Sequence, residues 1–151
     1  TAAQGGTNVA YIEIEAGPYL VRPVEQAFDS GERPVNVDAS NIVWVDATGS
    51  QGGPQMAYLW GSPAIGQRNG TLIKVPAGTT ATLRCDETFR AVVIAGRPAL
   101  HVPGERVDMA PGSTFRSASG SAHVVTADER RDCILYVRAD GRVDIASTPS
   151  P

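Results

Sequence analysis

The residues with the clearest potential for chemistry are one histidine, one cysteine and three charged side chains. They are His123, Cys85, Glu87, Arg84 and Arg90. On a strand, residues two apart share a face, so Cys85 and Glu87 could join His123 as a thiolate, carboxylate and imidazole set for a transition metal. The two arginines argue against such a set, because a fixed positive charge raises the cost of binding a cation nearby.

The arginines support a second hypothesis. The planar guanidinium groups of Arg84 and Arg90 match the geometry of carboxylate and phosphate groups, so they could clamp an anionic small molecule. The alternative is that they are surface arginines paired with Asp86, Glu87 or Glu105. His123 itself could equally be a core histidine satisfied by hydrogen bonds.

A second histidine and the two cysteines are further residues that could take part in chemistry. His101 lies between turns rich in glycine and proline, where it could face a cavity or hydrogen-bond a neighbouring segment. Cys85 and Cys133 are far apart in sequence, without the Cys-x-x-Cys spacing of zinc or redox sites. We expect two buried free thiols, with a disulfide as the alternative.

Composition limits the classes of function. The 151 residues suit one domain, and 42% hydrophobic with 19% charged residues is typical of a globular protein. The formal net charge of −3 comes from scattered residues, so neither nucleic acid nor a membrane surface is an expected partner. No apolar stretch is long enough to span a bilayer. The compartment stays open, with a soluble bacterial cytoplasmic protein favoured over a secreted one.

Short segments rich in β-branched and aromatic residues recur between glycine and proline turns, which predicts a nearly all-β chain. No stretch has helical periodicity over three turns. A sandwich, barrel or jelly roll is therefore expected. The predicted strands are Val9–Ile14, Ile42–Val45, Met56–Trp60, Thr71–Val75, Thr80–Leu83, Phe89–Ile94, Ala122–Thr126 and Ile134–Val137.

Several short motifs in order resemble those of a known family. They are Gly52–Gly61, Val75–Gly78, Arg90–Gly96, Ala110–Ser113 and the segment from Gly112 through Gly120 to His123. With them the chain resembles the RmlC-like cupins, and more closely the second half of bacterial double cupins related to the sensor domain of the anti-sigma factor ChrR. The resemblance implies an all-β cupin jelly-roll barrel.

The resemblance also implies where metal ligands would lie. Such barrels carry two histidines one residue apart and often a glutamate in a first motif, and one more histidine in a second. Counting from Gly78, the histidine pair falls at Arg84 and Asp86, and the glutamate at Phe89 or Arg90. Only His123 is retained. We therefore expect a degenerate metal site and no cofactor in this half, with any divalent transition metal held elsewhere.

A short internal repeat bears on domain organisation. Thr1-Ala2 with Ala10–Ile12 matches Thr126-Ala127 with Leu135–Val137 at constant spacing. This predicts an extra N-terminal strand segment: residues 1–35 as trailing strands and linker of a preceding cupin-like half, 36–145 as the barrel and 146–151 as a flexible tail. Such strands need partners for their backbone groups. We expect a homodimer or other homo-oligomer, or pairing with the missing first half. A less favoured possibility is that Thr1 is a processed N-terminus.

Two functions follow as hypotheses. The first is a small-molecule-binding or scaffolding domain with a degenerate metal site, with a small-molecule ligand as partner. The alternative is a metal-dependent oxygenase, lyase or isomerase acting on a small carbonyl or carboxylate compound, with a site rebuilt around His123.

Overall fold

A computed structural model describes residues 38–47, 51–62 and 66–148. The chain divides into two compact units, Thr1–Asn41 and Ile42–Pro151. The described part of the first unit holds a 3₁₀ helix, Ala39–Asn41, begun by Asp38, whose carboxylate accepts hydrogen bonds from the Ser40 amide and hydroxyl. No helix in the described ranges is long and apolar enough to cross a membrane. The predicted strand Val9–Ile14 and the first copy of the repeat lie outside the described residues.

The second unit is built from eleven described strands. They are β1 (Val45–Asp46), β2 (Gln55–Gly61), β3 (Asn69–Val75), β4 (Thr80–Cys85), β5 (Phe89–Ala95), β6 (Ala99–Val102), β7 (Glu105–Asp108), β8 (Thr114–Ser117), β9 (Ala122–Thr126), β10 (Cys133–Ala139) and β11 (Val143–Thr148).

The strands form two antiparallel sheets. The six-stranded sheet has the order β1-β2-β3-β10-β5-β8, and the five-stranded sheet has the order β11-β4-β9-β6-β7. Strands distant in sequence are neighbours: β10 lies between β3 and β5, and β9 lies between β4 and β6. These long connections are those of a jelly roll, so the predicted all-β class is confirmed.

The core lies between the two sheets and follows the two-residue alternation of each strand. On β4, Ala81, Leu83 and Cys85 are buried, whereas Arg84 between them is exposed. The same rule selects the other core side chains, which include Ile73, Val75, Phe89, Ala91, Val93, Val125, Cys133, Leu135 and Val137. The barrel therefore has a continuous apolar interior.

One contact on the outer face of the six-stranded sheet requires a glycine. The indole of Trp60 on β2 lies against Gly70 on β3, where a Cβ atom would overlap the ring. The indole Nε1 donates a hydrogen bond to the hydroxyl of Tyr136, at 3.1 Å. Trp60 thereby ties β2 to β10 across β3.

Four strands were not predicted from the sequence, namely β6, β7, β8 and β11. The strands β6, β7 and β8 have only four residues each, and β7 is exposed throughout with three charged side chains. These three strands are therefore too short or too polar for a clear hydrophobic pattern. The strand β11 continues to Thr148 and so takes in residues 146–148 of the predicted tail. Its pairing with β4 holds these residues in the sheet.

The contact between Trp60 and Gly70 generates the first prediction. Gly70→Ala should lower the free energy of unfolding by about 1–3 kcal/mol, because the new methyl group displaces the indole ring. Urea unfolding measures this loss. Gly141→Ala is the matched control. Neither glycine has a positive φ, and a Cβ at Gly141 would lie 3.1 Å from the Glu87 side chain and in ordinary contact with the Gly66 backbone, at 3.7 Å. Equal losses in the two variants would contradict the account.

Candidate functional site

His123 lies on β9 with its side chain inside the barrel, directly opposite Leu83 of β4. Two phenylalanines of the other sheet pack against its ring. The ring centroid of His123 is 5.6 Å from that of Phe89 and 5.5 Å from that of Phe115, and the two phenylalanine rings are 5.9 Å apart. We call His123, Phe89 and Phe115 the aromatic cluster. Edge-to-face contacts at these distances are favourable.

The loop before β9 places this histidine. Gly120 has a φ of 74°, and its amide donates a hydrogen bond to the carbonyl of Cys85 at 2.9 Å. The hydroxyl of Ser119 donates to the carbonyl of Asp86. The loop is thus fastened to the end of β4, and β9 begins beside it in a fixed register.

The polar atoms of His123 are not all satisfied. Its Nε2 atom is buried and has no hydrogen-bond partner in the described structure. Burial in this apolar interior lowers the pKa of His123 from its ordinary value of 6.5, because the charged imidazolium loses its hydration. The ring is therefore held as a neutral imidazole with an unused nitrogen.

The positions counted from Gly78 for the family's histidine pair do not face the interior. Arg84 and Asp86 are exposed, and the inward residues with the same spacing are Leu83 and Cys85. The counted positions therefore fall on the outer side, because the alternation of β4 is fixed by its buried side chains rather than by the distance from the turn. Of the two candidates for the glutamate position, Phe89 points inward and Arg90 outward.

The residues present do not fit a divalent transition metal. Leucine and phenylalanine have no donor atoms, and no group of three or more His, Cys, Asp or Glu side chains in the described ranges is placed to hold an ion. Glu87 lies beyond the end of β4 and is exposed, so it does not share the inward face of Cys85. The sulfur of Cys85 accepts hydrogen bonds from the amides of Glu87 and Gly141. The thiolate, carboxylate and imidazole set is not assembled.

The two arginines predicted as an anion clamp lie on different sheets. Arg84 is on the outer face of the five-stranded sheet, directly opposite Asp144 of β11. Arg90 is on the outer face of the six-stranded sheet, between Arg138 and Arg116. They cannot act together on one small ligand.

The remaining histidine and the cysteines have structural positions. The Nε2 atom of His101 lies 2.8 Å from the hydroxyl of Thr126, which is 2.9 Å from that of Thr80. Both cysteines are free and buried, which confirms the expectation of two free thiols. Burial raises the pKa of Cys133 to about 12 and also raises that of Cys85, so neither is an activated nucleophile.

A set of inner residues that the sequence analysis did not assign to a site is only half covered. Met56, Val102 and Phe115 are partly buried against the core, and Tyr58 and Val107 are 47% and 37% exposed. The hydroxyl of Tyr58 lies 3.0 Å from the sulfur of Met56. Tyr58 and Val107 are paired with the buried residues Thr71 and Leu100. That these side chains face the interior can be recognised only when the strand pairing is known. In the six-stranded sheet β2 is separated from β8 by β3, β10 and β5, so Met56 and Tyr58 lie away from the aromatic cluster. Val102 and Val107 lie on β6 and β7, which continue the five-stranded sheet from β9. We call Val102 and Val107 the apolar mouth.

Comparison with solved structures defines the class of protein. An RmlC-like cupin protein from Ralstonia eutropha is 15% identical, with a TM-score of 0.58 over 78% of this chain and 81% of that one. KdgF from a Halomonas species is 19% identical, with a TM-score of 0.55 over 70% and 94% of the two chains. The polyketide cyclase RemF from Streptomyces resistomycificus is 18% identical, with a TM-score of 0.56 over 77% and 86%. At these identities the likeness shows the fold alone, and the fold is that of the RmlC-like cupins.

The family itself is shown by sequence. Residues 1–146 match the family described as domain of unknown function DUF4437, and the chain belongs to that family. The match takes in the leading segment as well as the barrel. A search of curated proteins found no match.

The burial of His123 predicts a specific pH dependence of stability. The unfolded chain takes up this proton near pH 6.5, whereas the folded chain does so only at lower pH. In that window unfolding binds a proton, so stability is complete above pH 6.5 and falls as pH decreases toward the folded pKa. Urea unfolding from pH 5 to pH 8 measures the slope.

A comparison of two histidine variants separates the contribution of His123 to this pH dependence from that of other titrating groups. His123→Phe should reduce the loss of stability between pH 7 and pH 5, because the ring that resists protonation is gone. His101→Gln should retain the loss. A His123→Phe variant with the same pH dependence as the wild type would show that the histidine is not held neutral by burial.

Proposed function

We propose that this cupin domain binds an apolar or aromatic small molecule inside the barrel without a metal ion. The ligand would lie between the apolar mouth and the aromatic cluster, with one polar group hydrogen-bonded to Nε2 of His123. The observation that carries the proposal is that Nε2 is buried without a partner. A buried polar atom left unpaired costs about 1–3 kcal/mol, which a hydrogen bond to the ligand would recover.

The surrounding side chains support this class of ligand. The apolar mouth leaves Val107 37% exposed on the inner side of the barrel, while Val102 is partly buried against the core. Binding sites for small molecules are mostly apolar, with few polar groups that fix orientation. Because Nε2 is covered, the half-buried Phe115 ring must move aside when the ligand enters.

The alternative is a metal-dependent oxygenase, lyase or isomerase, and the interior favours the binding role. Catalytic metal sites generally use three or more protein ligands. Of the inward positions, Leu83 and Phe89 have no ligating atoms, and the sulfur of Cys85 is engaged by backbone amides. The proposal therefore includes no cofactor in this domain. In a double cupin, we propose that any metal ion is bound by the preceding cupin half.

Phenol and toluene make a matched pair of probes, since they have the same shape and differ in one hydroxyl. Phenol should bind about tenfold more tightly than toluene, because only phenol has a hydroxyl that can form a hydrogen bond with Nε2. The ring Cε1–H signal of His123 in ¹H–¹³C spectra measures both affinities. The chain has two histidines, so the His101 signal serves as an internal control.

The variant His123→Phe completes this test. In it the preference for phenol should disappear, with binding followed through the Phe115 ring signals, while Cys85→Ala should retain the preference. Equal affinity for phenol and toluene in the wild type would contradict hydrogen bonding by His123. Binding of neither probe would contradict a small-molecule site in the barrel.

We also propose that the chain forms a homodimer by pairing of sheet edges. Among the described strands β1 is an edge of the six-stranded sheet; Val45 within it is 45% exposed, and Val43 just before it is 75% exposed. The edge strand β7 differs, because its sequence Glu-Arg-Val-Asp protects it by charge. An unprotected apolar edge favours pairing with a second copy.

Sedimentation velocity tests the dimer. The wild type should sediment as a dimer at micromolar concentration, and Val45→Lys should shift it toward monomer because a charge at the edge opposes pairing. Val107→Lys on β7 is the control and should leave the sedimentation coefficient unchanged. A wild-type monomer at these concentrations would overturn the proposal.

A further inference from the structure

A row of five residues crosses the outer face of the six-stranded sheet, each from a different strand. In order they are Trp60, Gly70, Arg138, Arg90 and Arg116, and each is directly opposite the next. Residues opposite one another in antiparallel strands share a face, with Cβ atoms about 4.5–5.5 Å apart. Three arginines therefore leave the sheet side by side.

The three arginines differ in whether an acidic side chain neutralises their charge. Arg138 has a side chain that is 14% exposed and forms an ion pair with Asp140, at 3.4 Å. The same carboxylate is 3.4 Å from Arg68. Arg90 and Arg116 are exposed, and neither has an ion pair or hydrogen bond with any part of the described chain. Two adjacent guanidinium groups thus have no counter-charge.

The other sheet shows the usual arrangement. On its outer face Arg84 lies directly opposite Asp144, whose carboxylate forms its ion pair with Arg142 at 2.9 Å. Opposite charges across strands are favourable, whereas like charges in that position destabilise the sheet. Arg90 and Arg116 instead place like charges opposite each other. An anion bound between the two side chains would reduce their repulsion.

We propose that Arg90 and Arg116 form a binding site for a dianionic oxyanion, a phosphoryl or dicarboxylate group, on the outside of the barrel. Guanidinium groups hold such oxyanions through two parallel hydrogen bonds each, which gives both attraction and geometry. Arg138, opposite Arg90 on the other side, is paired with Asp140 and so contributes little net charge to the site. The site is separate from the barrel interior and does not depend on the ligand proposed there.

Titration of the full chain with inorganic phosphate, and separately with malonate, tests the site in ¹H–¹⁵N spectra at constant ionic strength. Millimolar additions should shift the amides of Arg90 and Arg116 saturably, and the Arg84 amide should not follow. Saturation by phosphate alone identifies a phosphoryl ligand, and saturation by malonate alone identifies a dicarboxylate. No saturable shift with either anion overturns the proposal.

Variants give a second, independent readout. Arg90→Gln should weaken anion binding at least about tenfold, while Arg84→Gln should leave it unchanged. In chloride, Arg90→Gln should raise Tm by removing like-charge repulsion, and at saturating anion it should have the lower Tm of the two proteins. The same Tm order in both solutions would overturn the site, since the substitution would then act on the sheet alone.

Discussion

The register of strand pairing is the constraint on which the rest of this structure depends. Each strand presents alternate residues to the interior, so a shift of one residue would exchange every inner side chain for an outer one. On β4 the buried pair Leu83 and Cys85 fixes the register, with Arg84 between them in water. The partner strand β9 then places His123 inside, opposite Leu83. The interior is therefore apolar around His123, whereas Arg84 and Arg90 lie on the two outer faces.

The fold class and several turns could be predicted from the sequence because their signals are local. Strand-forming segments between glycine and proline turns indicate a β-barrel without reference to distant residues. Gly78 and Gly96, taken from the family motifs, both have a positive φ of 69° and 83°. That β4 has no histidine could also be read directly from the sequence, and His123 does lie inside the barrel, opposite Leu83.

What could not be predicted depends on contacts between distant strands. The spacing from Gly78 does not fix the register of β4, so the count fell on outward residues rather than on Leu83 and Cys85. The packing of Phe115 against His123 joins different sheets, and the row from Trp60 to Arg116 joins five strands. Such juxtapositions have no local signature, because they arise only when the sheets are assembled.

The central claim is that the barrel interior of this DUF4437 protein is occupied by the aromatic cluster and does not hold a metal ion. Elemental analysis of the 151-residue chain, purified without chelators from a medium supplemented with transition metals, tests it most directly. The account predicts well below one equivalent of iron, manganese, nickel, copper or zinc per chain, unchanged in His123→Ala. One equivalent of any of these metals that is lost in His123→Ala would contradict the account and support the enzyme.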